Sequence, residues 1–379
     1  MRHADNLLTW FDRHRRDLPW RRTLDPYAIW LSEVMLQQTR VEVVVSYYAR
    51  FLDRFPTVQQ LAAAPVEEVL ALWSGLGYYR RARQLHAAAQ RIAAGGGGFP
   101  RTLEGLRALP GIGDYTAAAV ASMAFGVVTP VLDGNVERVL ARWLALGESP
   151  KTSPARRRLL GAAETLLDSR RPGDSNQALM ELGATLCTPR SPKCLLCPIS
   201  AGCLAAGQGN PEEYPQPRTK RAVEKRRLLV AVVENAHGVL LFRRPDDSEL
   251  LAGTWELPWV EEEEREAAAA LAARYGGRWR LGPLLAEVRH GITFRDLAVA
   301  VHRAELETPG EIREKREGRE AGWFDAAGRA GLPLSSLVGK VLKKALSSQA
   351  SPAPAAQGSG PSAPSGGPPA RRFPSRRRG

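Results

Sequence analysis

All four cysteines of this 379-residue chain lie within seventeen positions, as Cys187, Cys194, Cys197 and Cys203 in the pattern C-x6-C-x2-C-x5-C. Disulfide-stapled secreted domains distribute their cysteines along the fold, whereas thiols gathered this tightly mark a metal site. Structural zinc sites usually split four cysteines into two well-separated pairs, and a compact run of four thiolates suits one [4Fe–4S] cubane. Residues 187–203 are therefore expected to close part of the fold as an iron–sulfur loop.

The rest of the chain divides around that loop. Residues 1–209 read as helix after helix, with apolar residues at helical spacing in 29–55, 66–92, 116–125 and 136–146. Turn-like breaks fall at Phe55-Pro56, 95–98, 109–113 and Ser149-Pro150. Residues 210–227 are polar, proline-bearing and basic, which predicts an exposed linker. Beyond them RLLVAVVENAHGVLLFRR predicts two β-rich runs about a His237-Gly238 turn, followed by a helix over 262–275, a strand over 297–304 and a helix over 335–346. This makes 228–346 a smaller α+β domain. The tail, 347–379, is rich in Pro, Ala, Gly and Ser with five arginines and no acid, and is expected to be a disordered basic segment.

Fifty-three Lys and Arg against 40 Asp and Glu give a net charge of +13, which points to a polyanionic partner. A composition of 44% hydrophobic and 25% charged residues excludes a wholly disordered or fibrous protein. The longest apolar stretch, 116–128, is broken by Ser122 and Gly126 and falls short of the roughly 20 residues a bilayer needs. The N-terminal MRHADNLLTWFDRHRRD carries charges where a signal peptide is apolar. A cytoplasmic protein without a membrane partner is expected.

Three further features carry chemistry. Leu109-Pro110-Gly111-Ile112-Gly113 lies between a short helix (103–108) and a long small-residue helix (115–124), a helix-hairpin-helix arrangement over about 103–125. Gly111 and Gly113 let the backbone approach a phosphate, and the N–H groups opening the second helix favour the anion. A Gly-x-Gly turn alone is more often only a turn; the cysteine run downstream favours the phosphate reading. Glu33 sits in an apolar helix where desolvation keeps a carboxylic acid protonated, and Asp133 stands immediately before a helix, whose dipole is expected to keep it ionised. One protonated acid and one carboxylate is the pair that glycosidic bond cleavage uses. An Asp before a helix is usually an N-cap and a lone Glu on a helix is usually solvated, so the residues by themselves leave both readings open.

LPWRRTLDPYAIWLSEVMLQQTRV, LWSGLGYYRRARQLH, LPGIGDYTAAAVASMAFG, VLDGNVERVLAR and NQALMELGATLCTPRSPKCLLCP occur in this order over about the first 205 residues. Together with the cysteine spacing they resemble the adenine DNA glycosylase family of the helix-hairpin-helix (endonuclease III) superfamily. The resemblance implies that Glu33 protonates adenine and that Asp133 stabilises or bonds to the sugar cation, with Tyr115 and Asn135 beside it. It implies that Trp20, Arg21, Gln177 and Arg16 surround an extruded base, and that Gln38 and Tyr78 enter the duplex where the base has left. Duplex DNA with adenine opposite 8-oxoguanine or G is the implied partner, and the implied enzyme is a monomeric, monofunctional base excision repair glycosylase. Its [4Fe–4S] cluster would be structural, with Arg190 and Lys193 offered to phosphate.

The 228–346 domain resembles the Nudix-like lesion-recognition domain of the same family, through LAGTWELP at 251–258 and through 321–332. A true Nudix hydrolase needs R-E-x-x-E-E on a helix to hold divalent metal. The acidic run here is EEEERE at 261–266, so no pyrophosphohydrolase is expected. The family's Phe-Ser-His contact loop stands here as Ile292-Thr293-Phe294, which keeps a hydroxyl at Thr293 and replaces the His. A bifunctional lyase of the endonuclease III kind needs a Lys amine two residues after the second hairpin glycine, and Tyr115 occupies that position. A redox iron–sulfur carrier leaves Glu33 and Asp133 unexplained, and a noncatalytic DNA-binding scaffold predicts no base release. The expected fold is thus multidomain: an all-α helix-hairpin-helix glycosylase domain with an iron–sulfur cluster, then a smaller α+β Nudix-like domain.

Overall fold

A computed structural model describes residues 3–216, 222–248, 250–262, 266–307 and 320–347. The centre of the expected linker, three residues of the acidic run and the tail beyond 347 lie outside the described residues. The first part is helical: α1 (His3–His14), α2 (Pro26–Leu36), α3 (Val41–Arg54), α4 (Val58–Ala63), α5 (Val66–Leu72), α6 (Arg80–Ala94), α7 (Leu103–Arg107), α8 (Asp114–Phe125), α9 (Gly134–Trp143), α10 (Ser153–Thr165), α11 (Pro172–Thr185) and α12 (Leu204–Gly207). The periodic run over 29–55 is two helices, α2 and α3, and the run over 66–92 is likewise α5 and α6. Among the described residues no helix is long and apolar enough to cross a membrane.

Two hydrophobic cores lie inside this part. One gathers Trp30, Phe51, Trp73 and Leu85 from α2–α6 with Val120 of α8; the other gathers Phe11, Val136, Leu159 and Leu179 from α1 and α9–α11. Helix α2 starts because Pro26 presets its first turn and Asp25 accepts the Tyr27 N–H at 3.0 Å. Nine of its eleven residues, Tyr27 to Met35, are buried without a break, as expected of a helix that is apolar all round. Helix α8 is built from small residues, so its neighbours come close: a Cβ on Gly173 of α11 would stand 2.8 Å from Met123 Cα. This close packing seats α8 between the two cores.

The second part holds β1 (Glu224–Val232), β2 (Glu234–Asn235), β3 (Gly238–Arg243), β4 (Trp255–Glu256), β5 (Trp259–Glu261), α13 (Ala267–Tyr275), β6 (Trp279–Ile292), β7 (Arg295–Leu306), β8 (Ala321–Phe324), α14 (Ala326–Ala330) and α15 (Ser336–Ser347). One sheet runs β5-β1-β7-β6, with β1 parallel to β7; in the other, β3 pairs with β2, β4 and β8. Apolar clusters cover both faces of the first sheet, Val338 and Val341 of α15 on one side and Leu271 of α13 on the other. The structure corrects the sequence reading here. The helix expected over 262–275 begins at Ala267, and the strand expected over 297–304 runs from Arg295 to Leu306. The fourteen-residue β6 had no forecast, because LGPLLAEVRHG mixes Pro, Gly and charges and only the antiparallel partner β7 makes it a strand.

The two parts touch. Tyr79 Oη and Ser74 Oγ donate to Leu334 O at 2.5 and 3.0 Å, and Arg83 Nη2 donates to Asp246 Oδ1 at 2.9 Å and Ala252 O at 3.2 Å. Leu251 packs against the first helical core. Between the parts lies a cavity of about 620 Å³.

Candidate active site and nucleic-acid interface

Glu33 comes from the first helical core and Asp133 from the second. Glu33 is 4% exposed, and the Tyr115 hydroxyl, from the second residue of α8, donates a hydrogen bond to its Oε2. Burial raises the Glu33 pKa to about 7; the Tyr115 bond and the Arg21 charge oppose this, and the nearby Asp133 charge adds to it. Burial and the two carboxylates hold the Tyr115 hydroxyl neutral, well above its ordinary range.

Asp133 is the N-cap of α9 and accepts the Val136 N–H at 2.7 Å and the Asn135 Nδ2–H at 3.1 Å. These bonds favour its ionised form as the helix dipole was expected to, yet burial outweighs them and its pKa is raised, not lowered. The sequence could not weigh burial against the cap, since burial here comes from helices distant in the chain. Asn176, fully buried on α11, fixes the segment before Asp133: its Oδ1 accepts the Val131 N–H at 3.0 Å, and its Nδ2 donates to Ser122 Oγ and Thr129 O.

Of the residues expected to contact the base, Arg21 lies near enough for its charge to act on Glu33. Trp20 is buried and meets Tyr48 edge-on, and Gln177 is half-buried on α11 next to Asn176. Arg16 and Arg21 both bind Glu181, through Nε at 2.8 Å and Nη2 at 2.8 Å. Burial alone would raise the Glu181 carboxyl, but the bonds from Arg16 and Arg21 hold it at about 2. Glu181 escaped the sequence reading, although an acid inside the apolar run ALMELGA was the available signal.

The hairpin presents its backbone outward. Gly111 has φ 72 and a Cβ there would meet Gln84 Cβ at 2.6 Å, so only glycine fits; Gly113 has ordinary φ and open space beside it. Gln38 and Tyr78 both project at the surface and line the cavity between the two parts, with φ of 58 and 51. Thr293 reaches the same cavity from the β6–β7 turn, also at positive φ, and its hydroxyl donates to its own neighbour, Ile292 O, at 2.7 Å. Phe294 is not in that lining, and the Arg295 guanidinium lies 5.3 Å from its ring centroid.

The four thiols lie half-buried in short turns. Among the described residues no three Cys, His, Asp or Glu side chains close on a single ion. Cys194, Cys197 and Cys203 each lie near enough to Cys187 for its charge to raise their pKa, so the four thiols are gathered in one place, and an all-thiolate set of four fits an iron–sulfur cluster. Arg142, 2% exposed, donates to Cys187 Sγ at 3.4 Å and to Thr188 O at 2.7 Å. Arg138 donates to Asn135 Oδ1 at 2.9 Å, Gly183 O at 2.8 Å and Cys187 O at 2.8 Å. A continuous chain of contacts thus runs from Asp133 through Asn135 and Arg138 to Cys187. Arg190 and Lys193 are exposed on the loop.

Known proteins share this arrangement. Residues 31–164 match the HhH-GPD superfamily base excision DNA repair proteins, 187–203 the iron-sulfur binding domain of endonuclease III, and 229–344 the NUDIX domain. A solved thermostable thymine-DNA glycosylase is 33% identical, with a TM-score of 0.50, and covers 54% of this chain and 95% of its own. The helical part with its cluster loop therefore defines a helix-hairpin-helix DNA glycosylase carrying a [4Fe–4S] cluster. Adenine DNA glycosylase of Homo sapiens is 39% identical over 367 residues, and that of Mus musculus 40% identical over 364, each alignment covering 80% of this chain. The chain belongs to the adenine DNA glycosylase family. It spans 66% of the human protein and 70% of the mouse protein.

Proposed function

We propose that the chain excises adenine mispaired with 8-oxoguanine or G in duplex DNA and leaves an abasic site. The observation that carries this is Glu33, buried and with its pKa driven to about 7, beside Asp133 in one site. Glu33 gives its proton to a ring nitrogen of the extruded adenine, and the C1′–N9 bond breaks with its electron pair leaving on the base. Asp133 faces the cationic sugar, water adds at C1′, and the Glu33 carboxylate takes up the water's proton, which regenerates the acid. Tyr115 holds the Glu33 carboxyl, and Asn135 and the α9 N-terminus hold Asp133. Arg16, Arg21 and Glu181, with Trp20 and Gln177, surround the extruded base. Flipping costs a few kcal/mol, least at a mispair, and Gln38 and Tyr78 offset it by filling the vacated stack.

Cys187, Cys194, Cys197 and Cys203 hold the cluster, which orders the loop that presents Arg190 and Lys193 to phosphate. The hairpin amides after Gly111 and Gly113 take a second phosphate. In this reading 1–209 is the glycosylase domain and the second part is the lesion reader, with Thr293 and Phe294 at the lesion; the linker expected over 210–227 gives way to β1 at Glu224, because 224–227 already pair with β7. A monomer working in the cytoplasm, at the nucleoid in a bacterial cell, suffices. The test is single-turnover adenine release from duplexes with adenine opposite 8-oxoguanine, G or C; no release from any of them overturns the reading. A bifunctional lyase is disfavoured by Tyr115, which offers a hydroxyl already bound to Glu33 and no amine, so borohydride should trap no covalent DNA adduct at the level typical of a true lyase; efficient trapping would show that another amine serves.

A further inference from the structure

Arg81, in the first turn of α6, is 8% exposed, and every hydrogen bond it donates ends on an uncharged oxygen. Nη1 reaches Val34 O at 2.9 Å, Met35 O at 3.0 Å and Gln37 O at 2.5 Å; Nη2 reaches Leu76 O at 3.3 Å, Gly77 O at 3.1 Å and Thr39 Oγ1 at 3.2 Å. Its Nε is buried without a partner. Such a cation is costly to bury, and burial lowers its pKa to about 10, so it remains charged at neutral pH. A residue kept at that cost must hold something in place.

The acceptors identify it. Val34, Met35 and Gln37 are the carbonyls left open at the C-terminal end of α2, and Leu76 and Gly77 belong to the turn entering α6. Gln38 follows the first set directly and Tyr78 the second. Both are non-glycine residues in the left-handed region, a conformation that persists only where the surroundings over-determine it. The guanidinium also lies 5.4 Å from the Tyr78 ring centroid and 5.2 Å from that of Trp73. One planar fork therefore ties two segments some forty residues apart in sequence, and each segment ends in one projecting side chain.

We infer that Arg81 is a positioning residue that sets the spacing of Gln38 and Tyr78, so that the two enter the duplex as a single preformed wedge. The inference rests on the proposed reading of those two residues. Arg81 touches neither the base nor the reacting atoms.

The experiment uses the full cluster-bearing chain and a duplex with 2-aminopurine at the target position opposite 8-oxoguanine, its fluorescence rising as the base unstacks. Arg81→Lys keeps the charge but presents one nitrogen where two are needed; Arg81→Met removes the charge as well. Each is expected to lower the unstacked fraction and the single-turnover release of adenine at least tenfold. The midpoint of the pH–rate profile should stay in place, because burial and Tyr115 set the Glu33 proton. Thr39→Val removes one of the six acceptors, leaves the guanidinium, and is expected to lower both quantities at least twofold, which keeps the test open should the Arg81 variants fold poorly. Normal unstacking in these variants overturns the inference, as does a pH midpoint that moves together with the rate. Tyr78→Ala and Gln38→Ala separate the two claims: if they unstack the base normally the wedge reading fails, and if they do not while the Arg81 variants do, only the positioning role falls.

Discussion

The Tyr115 hydroxyl donates to Glu33 Oε2 across 82 positions of sequence, joining the helix that follows the hairpin to the apolar helix that carries the acid. The hairpin proposed to grip the DNA backbone and the carboxyl proposed to protonate the base are thereby fixed relative to each other.

Glu33→Gln keeps that geometry and removes the proton. Adenine release is expected to fall by at least the 10²–10⁴-fold typical of general acid catalysis, with duplex binding retained. Near wild-type single-turnover rates would refute the assignment of Glu33.

The same carboxyl couples activity and stability to pH. Its folded-state pKa, about 7, lies above the ordinary 4.5, so its contribution to stability is complete below 4.5 and is lost as pH rises through 7. Glu33→Gln should therefore gain on the wild type across that window, by up to about 3 kcal/mol above pH 7. Release by the wild type should decline above pH 7 as the acid loses its proton. Denaturant melts of both proteins at pH 5 and pH 8 measure the first effect; an unchanged difference between them would mean that Glu33 is not buried as described.

The cluster is checked by metal content. Chain purified without exposure to air should carry about four irons and show broad visible iron–sulfide absorption. Zinc in stoichiometric amount is the contrary result.

Gly253 has φ +65, and a Cβ there would stand 1.8 Å from Arg83 Nη2. Gly253→Asp must displace Arg83 from Asp246 and Ala252, which loosens the second part from the first. The preference for adenine opposite 8-oxoguanine over adenine opposite G should fall severalfold, while release opposite G changes little. Equal loss on both duplexes would place the damage in the catalytic part.

Thr293→Val tests the lesion contact itself. The hydroxyl must turn from Ile292 O to meet a lesion, and losing one such bond typically costs about 0.5–1.5 kcal/mol. The ratio of affinities for 8-oxoguanine and guanine opposite an uncleavable adenine analogue, at one salt concentration, should drop accordingly. An unchanged ratio assigns lesion reading to Gln38 and Tyr78.

What the sequence made legible was local or carried by motif: the helical run, the cysteine loop, the hairpin, and the acid on α2. What it hid depends on partners brought in from afar. Strand β6 exists only against β7; the raised pKa of Asp133 comes from burial between two cores; Glu181 gains its meaning from Arg16 and Arg21, some 160 positions earlier. The positive φ at Gln38, Tyr78 and Thr293 was equally invisible, since none of these residues advertises a left-handed backbone as glycine does.

The parallel pairing of β1 with β7 has a consequence for how the protein is made. Glu224 sits opposite Arg295, so the first strand to emerge from the ribosome waits for a partner 71 residues behind it. At about 5–20 residues per second this is a delay of several seconds or more. The buried residues of the two helical cores have all been synthesised by then. Each nascent molecule thus passes through an interval in which Glu33 and Asp133 have been synthesised but the sheet around β1 has not closed, and a premature stop within those residues would release the helical part without the strands proposed to read the opposite base.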